Sequence, residues 1–380
     1  MYSGQDITRR QAVTGGIAAT IGFPMINRAS FAFAQAPGRT YSARAIKLVS
    51  RSVVIDMLGV LKIRTKPDLF DRPFTPADVA DFRGSGITAM HNSFGFGGFN
   101  AKEAAFEYLA AWQGYIGHHS DLFTLVRSAR DIDDAKKSGK IAVIMGAQNA
   151  DHFHTPDDVA TFYRLGLRCA QLTYNSQNYI GSGATDRVDG GVSDFGVGII
   201  GAMNKAGMLI DVSHCGDRTT LDAAELSPKP IAITHSNCRA VSPHPRNKDD
   251  EAIRKVAAKG GVMGITGVRM FVRDRDPTNV AHMVDHIDHV VKLVGVEHVG
   301  IGSDADLNGY DDMPADEYEQ LKAAYKSTYA FRGKIDIDGF DHPRKMFDLT
   351  EELIKRGYSD ENITLILGGN FRRLLSATWA

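Results

Sequence analysis

The sequence from residue 48 onward repeats one unit, and this repetition constrains the fold more than any other feature. Each unit is a short apolar or β-branched run that ends in polar residues, followed by a longer segment with helical spacing. Eight such runs occur, at residues 53–58, 88–92, 141–148, 169–174, 209–214, 231–235, 262–266 and 299–304. Between them, apolar residues recur every three or four positions at 104–115, 156–165, 197–206, 250–259 and 280–294. Eight alternating units predict an α/β fold, a closed (β/α)8 barrel of the TIM type.

A further apolar run at residues 123–126 leaves one alternative open. If that run belongs to the sheet, the strand count rises by one, and a doubly wound open sheet becomes the alternative to the barrel. The segments 95–98, 177–190 and 307–339 are rich in Gly, Asp or Asn and follow strand ends, where barrel enzymes carry substrate loops. Because no low-complexity linker interrupts residues 48–375, we expect one domain there.

Residues 1–34 have the order of a twin-arginine export signal. Arg9 and Arg10 precede an uncharged stretch at residues 12–26, and a small-x-small cleavage pattern ends at Ala34. The stretch contains Gly and Pro and is shorter than the ~20 apolar residues that a bilayer span needs. We therefore expect a periplasmic or secreted protein with no transmembrane span after cleavage. The alternative is a frayed N-terminal helix that carries two arginines.

Composition narrows the classes of partner. The formal net charge is −1, from 44 Lys and Arg against 45 Asp and Glu, so no overall basic field would hold nucleic acid, which is not an expected partner. Three cysteines are an odd number and resemble no disulfide framework. The one G-x-G-x-x-G match, at residues 196–201, lies in a helical stretch instead of after a strand, and no G-x-S-x-G elbow follows a strand. Dinucleotide binding and serine-nucleophile chemistry are therefore not predicted.

Two histidines and a carboxylate close three of the predicted strands. His214, His235 and Asp304 end the fifth, sixth and eighth runs, and the carboxyl ends of barrel strands converge on the active site. Each residue alone is more often a hydrogen-bonded core residue, but the three together predict a zinc site with an open position for water. Asp211 lies three positions before His214, so strand alternation predicts that it faces the other way and caps or bridges to a helix. Cys215 and Cys238 remain weaker candidates for soft ligands.

A set of motifs in fixed order is similar to the membrane (renal-type) dipeptidase family. The motifs are Gly191-Val-Ser-Asp-Phe-Gly196, Met203-Asn204 through Asp211-Val-Ser-His214, Thr234-His235-Ser236, Pro245-Arg246-Asn247, Asp285-His286-Ile287, Gly300-Ile-Gly-Ser-Asp304-Ala-Asp306 and Gly368-Gly369-Asn370-Phe371. The resemblance covers roughly residues 48–375. It implies a zinc-dependent barrel that hydrolyses dipeptides, with two metal ions bridged by a glutamate and a hydroxide.

The resemblance also implies roles for individual residues. His214 and His235 match the ligands of the second metal, and Asp304 matches the active-site aspartate. Arg246 matches the arginine that holds the carboxylate of the substrate, and Tyr174 stands where the family has a histidine that contacts the substrate. A homodimer is left open.

The first metal site departs from the family pattern. Where the family has Asp-Gly-His-x-Asp, this chain reads Asp56-Met57-Leu58-Gly59-Val60, so Leu58 and Val60 replace both ligands. Gln148 replaces the bridging glutamate, and a neutral amide is a poorer ligand for two cations than a carboxylate is. His91, at the end of the second run, is a candidate substitute ligand, against the alternative of a hydrogen-bonded histidine. We therefore expect one bound ion.

Three hypotheses follow. The leading one is a hydrolase of dipeptides or related small amides, in which one Zn²⁺ or similar ion is held by His214, His235 and in one version Asp304, and activates a water. In the other version Asp304 is the base. The second hypothesis is a metal-poor barrel that binds small peptides or carboxylates without hydrolysing them. The third keeps the hydrolase but changes its substrate to a lactam, an ester or another amide.

Overall fold

The computed structural model describes residues 39–63, 70, 74–310 and 313–379, and the predicted export signal lies outside them. These residues form nine parallel strands: β1 (Ile55–Asp56), β2 (Ala89–Phe94), β3 (Phe123–Leu125), β4 (Ile141–Ala147), β5 (Leu167–Gln171), β6 (Leu209–Asp211), β7 (Ala232–Ser236), β8 (Val262–Ile265) and β9 (Val299–Ile301).

Eight of these strands close into a barrel. The sheet runs in the order β2-β1-β9-β8-β7-β6-β5-β4, and β4 pairs back to β2 from Ala89↔Ala142 to Phe94↔Ala147. The ninth strand, β3, pairs only with the start of β4, so it adds to the sheet without opening the ring. The (β/α)8 prediction is confirmed, and the doubly wound alternative is wrong because closure depends on the β2–β4 pairing and not on the number of strands.

Helices surround the barrel. They are α1 (Ala43–Arg51), α2 (Pro76–Gly84), α3 (Ala101–His118), α4 (Ala129–Ser138), α5 (Pro156–Arg164), α6 (Asp194–Ala206), α7 (Asp217–Leu226), α8 (Asp250–Ala258), α9 (Arg269–Val272), α10 (Val280–Val294), α11 (Ala315–Ala324), α12 (Lys345–Lys355), α13 (Asp360–Thr364) and α14 (Asn370–Thr378). Local sequence sets several of their ends. Thr155 and Asp158 form a capping box at the start of α5, where Pro156 takes the first turn, and Gly207 ends α6 at a φ of +79°.

The core has two layers. Small and branched side chains fill the barrel interior, among them Ile55, Ala89, Ile144, Leu209, Val262 and Phe371. A larger cluster lies between the outer faces of the strands and the helices, among them Met90, Val143, Ile210, Ile233, Ile287 and Leu353. Phe371 of α14 enters the interior near the start of β9, where a Cβ at Gly300 would lie 2.5 Å from the ring. Glycine at that position therefore lets the aromatic ring close one end of the barrel.

The segment 313–339, which we call the lid, covers the loops that follow β5 and β8. An aromatic cluster holds the lid on α9: Phe271, Tyr325, Tyr329 and Phe331 contact one another with ring centroids 4.6–5.4 Å apart. The buried guanidinium of Arg269 adds bonds to the Asp336 carbonyl, at 2.7 Å, and to Asp338. No helix within the described ranges is long and apolar enough to cross a bilayer.

Candidate active site

His214 and His235 meet directly at the carboxyl ends of neighbouring strands. His235 lies on β7, His214 follows β6, and their Nε2 atoms are 2.9 Å apart. Both rings are buried, with exposed fractions of 2% and 0%. Burial, with the nearby charge of Arg246, holds the pKa of both imidazoles well below the ordinary value. Both rings are therefore neutral at neutral pH.

Neighbouring acceptors fix which nitrogen of each ring carries its proton. The Nδ1 atom of His214 lies 2.7 Å from the side-chain oxygen of Asn175, which can only accept a hydrogen bond. The Nδ1 atom of His235 lies 2.9 Å from Thr234 Oγ1, whose own hydrogen is donated to Asp211 Oδ2 at 2.6 Å. Both Nδ1 atoms must therefore donate, and both Nε2 atoms present lone pairs to each other.

Two lone pairs at this separation repel each other unless a cation lies between them. A zinc ion binds imidazole nitrogen at about 2.0–2.1 Å, so two nitrogens 2.9 Å apart are close enough to share one ion. Ligating histidines characteristically donate the other ring N–H to a carbonyl, carboxylate or similar acceptor, as both rings do here. The donor chemistry of the His214 and His235 pair thus fits a divalent metal ion.

The structure brings two of the three predicted metal ligands together. Within the described ranges, no group of three or more His, Cys, Asp and Glu residues is arranged to hold a metal ion, so Asp304 does not join the histidine pair. Cys215 and Cys238 are buried free thiols, and burial raises the pKa of both. The protein ligands that converge here are two imidazole nitrogens.

The three replaced positions carry two aliphatic side chains and one amide. Leu58 and Val60 are buried aliphatic side chains, and the amide nitrogen of Gln148 donates to the carbonyl oxygen of Ser93 at 3.0 Å. His91 points from β2 towards Gly146 of β4, where a Cβ would lie 1.7 Å from its Nε2 atom. Its Nδ1 atom bonds the Met57 carbonyl oxygen at 2.7 Å, and its Nε2 atom is buried with no hydrogen-bond partner among the described residues. His91 is a hydrogen-bonded interior residue that does not complete a ligand group.

Asp304 follows β9 on a turn with a left-handed backbone conformation. Its φ is +61°, its backbone N–H donates to the Leu58 carbonyl at 2.7 Å, and the Tyr310 hydroxyl donates to its own carbonyl at 2.8 Å. The carboxylate itself has no hydrogen bond to a described residue. Burial raises its pKa to about 7, against the opposing charge of Arg246. Asp304 can therefore take up or release a proton near neutral pH.

Arg246 presents unused donors to the same site. Its guanidinium is fully buried, Nη1 donates to the Ser213 carbonyl, and the guanidinium carbon lies 5.3 Å from the centre of the Phe271 ring. The Nε and Nη2 atoms have no acceptor among the described residues. A planar guanidinium with free N–H groups matches the geometry of a carboxylate.

Tyr174 covers the histidine pair and connects it to the lid. Its ring stacks on that of His214, and its hydroxyl lies 2.6 Å from the hydroxyl of Tyr325. Beside this contact, the Lys326 ammonium donates to the Thr185 carbonyl at 2.8 Å. Two bonds therefore close the lid over the loop that follows β5.

Sequence reasoning missed the residues that orient the histidines. It placed Asp211 on the opposite face, and this prediction was wrong: the carboxylate accepts bonds from the backbone and hydroxyl groups of Ser213 and Thr234. Strand alternation does not extend from Asp211 to His214, because β6 ends at Asp211 and the chain then turns. The role of Asn175 as a hydrogen-bond partner of His214 was also not predicted. Its φ of +60° is a conformation that Asn tolerates better than most residues do.

Comparisons with known proteins place the chain in a family. Residues 81–324 match the family described as membrane dipeptidase, peptidase family M19. An amidohydrolase from Pseudomonas aeruginosa is 32% identical, with a TM-score of 0.76 over 88% of this chain and 99% of that chain. A Rhodobacter sphaeroides metallopeptidase, solved with a phosphinate mimic of L-Ala-D-Ala, shares the fold at 19% identity, with a TM-score of 0.68 over 86% of this chain and 100% of that chain.

A curated relative gives the same assignment. Dipeptidase verJ from Clonostachys rogersoniana is 31% identical over 265 residues, which are 69% of this chain and 62% of that protein. The match thus spans about three fifths of the relative's length. From the family match and the shared barrel, we conclude that the chain belongs to the membrane dipeptidase family, peptidase family M19.

Proposed function

We propose that this chain is a single-metal hydrolase that cleaves dipeptides or related small amides. The observation that carries the proposal is the His214 and His235 pair, with two Nε2 lone pairs 2.9 Å apart beside a buried arginine with free donors. A dipeptide has both features that such a site recognises: an amide to be cleaved and a carboxylate. One divalent ion, zinc or a similar metal, would be held by the two histidines, and when bound it would act as a Lewis acid that makes a water more acidic.

Arg246 anchors the substrate. Its Nε and Nη2 donors have no acceptor of good geometry among the described residues, so a free carboxylate that reached them could form two parallel bonds with the guanidinium. Burial makes these bonds stronger than they would be in water, because few water molecules compete for them. The arginine thereby selects substrates that end in a carboxylate.

Asp304 would transfer the proton between the attacking water and the leaving amine. With a pKa of about 7, its carboxylate can accept a proton from the attacking water and return it to the leaving amine. This role requires that Asp304 is not itself bound to the ion, which agrees with its separation from the histidine pair.

Tyr174 and the lid exclude bulk water. The Tyr174 ring stacks on that of His214, and its hydroxyl contact with Tyr325 joins this cover to the lid, which would keep the site at low polarity. Since burial also holds both imidazoles neutral, their Nε2 lone pairs stay available as ligands.

A second candidate function is a binding protein without catalysis. The observation in its favour is that only two protein ligands converge, whereas catalytic zinc sites usually have three. A change of substrate to a lactam or an ester remains a variant of the hydrolase.

One experiment separates these functions. Protein loaded with zinc, manganese or cobalt is tested on a panel of dipeptides, their carboxyl-terminal amides, lactams and esters. The hydrolase proposal expects turnover of at least one substrate with a free carboxylate, loss of turnover in His235→Ala, and a raised KM in Arg246→Ala. Binding of dipeptides that depends on Arg246, with no turnover on the panel, would overturn the hydrolase and support the binding protein.

We also propose that the protein acts in the periplasm or outside the cell, with residues 1–34 serving as its export signal. The arginine pair, the apolar stretch and the cleavage pattern in that order support the proposal.

A further inference from the structure

We infer that Asp211 is a positioning residue that orients two groups of the site at once: His235 through Thr234, and Arg246 through Ser213. The inference rests on the proposed function in one respect, since it assigns His235 to the ion and Arg246 to the substrate. It adds a residue that touches neither. Asp211 is buried below the two histidines, with an exposed fraction of 1%.

The first connection runs from Asp211 to the ring of His235. Thr234 Oγ1 has one hydrogen, and it is donated to Asp211 Oδ2 at 2.6 Å. A bond to a carboxylate is stronger than one to a neutral imidazole, so this direction is fixed. Thr234 Oγ1 is then left as an acceptor for the Nδ1–H of His235 at 2.9 Å. The carboxylate thereby sets the tautomer of His235 and leaves its Nε2 atom free to bind an ion.

The second connection runs from Asp211 to the guanidinium of Arg246. Asp211 Oδ1 accepts the backbone N–H of Ser213 at 3.0 Å and its hydroxyl at 2.6 Å. These two bonds hold the turn after β6, and the carbonyl of Ser213 accepts from Arg246 Nη1. The Ser213 carbonyl therefore holds Nη1 of the guanidinium, while Nε and Nη2 are left without an acceptor among the described residues.

One carboxylate thus couples the metal side and the substrate side of the site. Asp211 Oδ1 also accepts the backbone N–H of Thr234 at 3.0 Å, so four donors surround the two oxygens. Buried charge-assisted bonds of this kind are costly to disrupt, because each lost partner leaves a desolvated group. Removing the Thr234 hydroxyl should affect mainly the metal side, removing the Ser213 hydroxyl mainly the substrate side, and removing the carboxylate both.

The test compares Thr234→Val, Ser213→Ala and Asp211→Asn, with Thr234→Ser as the matched control that restores the hydroxyl. Three quantities are measured: zinc affinity by competition with a chelator, the ¹⁵N shifts of His235 in metal-free protein, and KM for a dipeptide against its carboxyl-terminal amide. Circular dichroism identifies any variant that fails to fold.

We expect Thr234→Val to lower zinc affinity by about 10–100-fold, as loss of a group behind a ligand does, and to remove the Nδ1–H signature of His235. Thr234→Ser should restore both. Ser213→Ala should keep that signature and raise KM for the free carboxylate more than for the amide. In the wild type the Ser213 hydroxyl also accepts from the backbone N–H of His235 at 3.1 Å, so Ser213→Ala could lower zinc affinity as well. The ¹⁵N shifts of the His235 ring therefore separate the two branches better than zinc affinity alone. Asp211→Asn should show both defects.

The inference is overturned if folded Thr234→Val keeps the His235 signature and binds zinc within twofold of the wild type. It is also overturned if Thr234→Val and Ser213→Ala give the same set of defects. Failure of the proposed function looks different: the wild type would bind no ion and cleave nothing, while the ¹⁵N signature, which needs neither metal nor turnover, would still respond to Thr234→Val.

Discussion

The ring of Tyr174 lies flat on the ring of His214, with centroids 4.1 Å apart and planes inclined by 20°. The same tyrosine holds the lid, because its hydroxyl lies 2.6 Å from that of Tyr325. One side chain thus contacts both a proposed metal ligand and the lid. The resemblance to the family implies a substrate-contacting histidine at this position, and on that alignment this chain has an aromatic cover in place of a polar contact.

The first prediction concerns the bond between the lid and Tyr174. Tyr174→Phe keeps the stacked ring but removes the bond to Tyr325, which is worth about 0.5–1.5 kcal/mol. We expect amide hydrogen exchange in residues 313–339 to become about 2–10-fold faster, with a similar result for Tyr325→Phe. The double variant Tyr174→Phe with Tyr325→Phe should exchange little faster than either single variant. Full additivity of the two effects would contradict a shared bond.

The second prediction concerns pH and Asp304. Because burial raises the pKa of this carboxyl to about 7, the deprotonated form that acts as base gains population as the pH rises through 7. We expect turnover to increase over that range in the wild type and to be lost in Asp304→Asn. The same raised pKa costs stability, since the folded chain releases this proton less readily than the unfolded chain between pH 3.8 and about 7.

Asp304→Asn should therefore melt at a higher temperature than the wild type at pH 8, and the difference should shrink as the pH falls below 4. Thermal unfolding followed by circular dichroism at both pH values provides the measurement. A lower melting temperature for the variant at pH 8 would argue against a strained, desolvated carboxylate.

The third prediction concerns acid stability and uses buried histidines other than the His214 and His235 pair. Burial lowers the pKa of His152 to about 3 and that of His244 and His286 to about 4, from an ordinary 6.5. Between pH 6.5 and these lowered pKa values, the histidines take up protons in the unfolded chain but not in the folded one. The free energy of unfolding should therefore fall by up to about 1.4 kcal/mol per pH unit for each such histidine as the pH drops below 6.5.

Urea titrations at pH 5 and pH 7.5 measure this slope. His152 packs against Phe153 and Phe162, so His152→Phe should be accommodated, and it should make the loss of stability between the two pH values smaller. An unchanged slope in that variant would show that His152 is not held neutral by burial.

The barrel could be predicted from the sequence because it depends on local patterns repeated eight times. All eight predicted strands correspond to β1, β2 and β4–β9, and the ring closes through the β2–β4 pairing that a strand count does not show. His214, His235 and Arg246 were found because strand ends and motif order mark them. Asp211 and Asn175 were not, because a turn after β6 and a left-handed residue after β5 decide where these side chains point. Tyr325 was missed because its partner lies 151 positions away.

The fourth prediction concerns export. Arg9→Lys together with Arg10→Lys should retain the full-length precursor in the cytoplasm, because the twin-arginine pathway requires that pair. Cell fractionation and N-terminal sequencing of the mature chain, expected to start near residue 35, provide the readout. Unchanged recovery of processed protein from the periplasm would contradict the twin-arginine signal. Lys47→Arg, a Lys/Arg exchange outside the signal, serves as the control and should leave export unchanged.

We propose that one metal ion binds between His214 and His235. Elemental analysis of purified protein, loaded with zinc and dialysed, tests it most directly. We predict about one zinc ion per chain in the wild type and loss of that ion in His214→Ala and in His235→Ala, by the ligand requirement of zinc. Two tightly held ions per chain would show that other residues rebuild the first site, and none would show that the histidine pair is not a metal site.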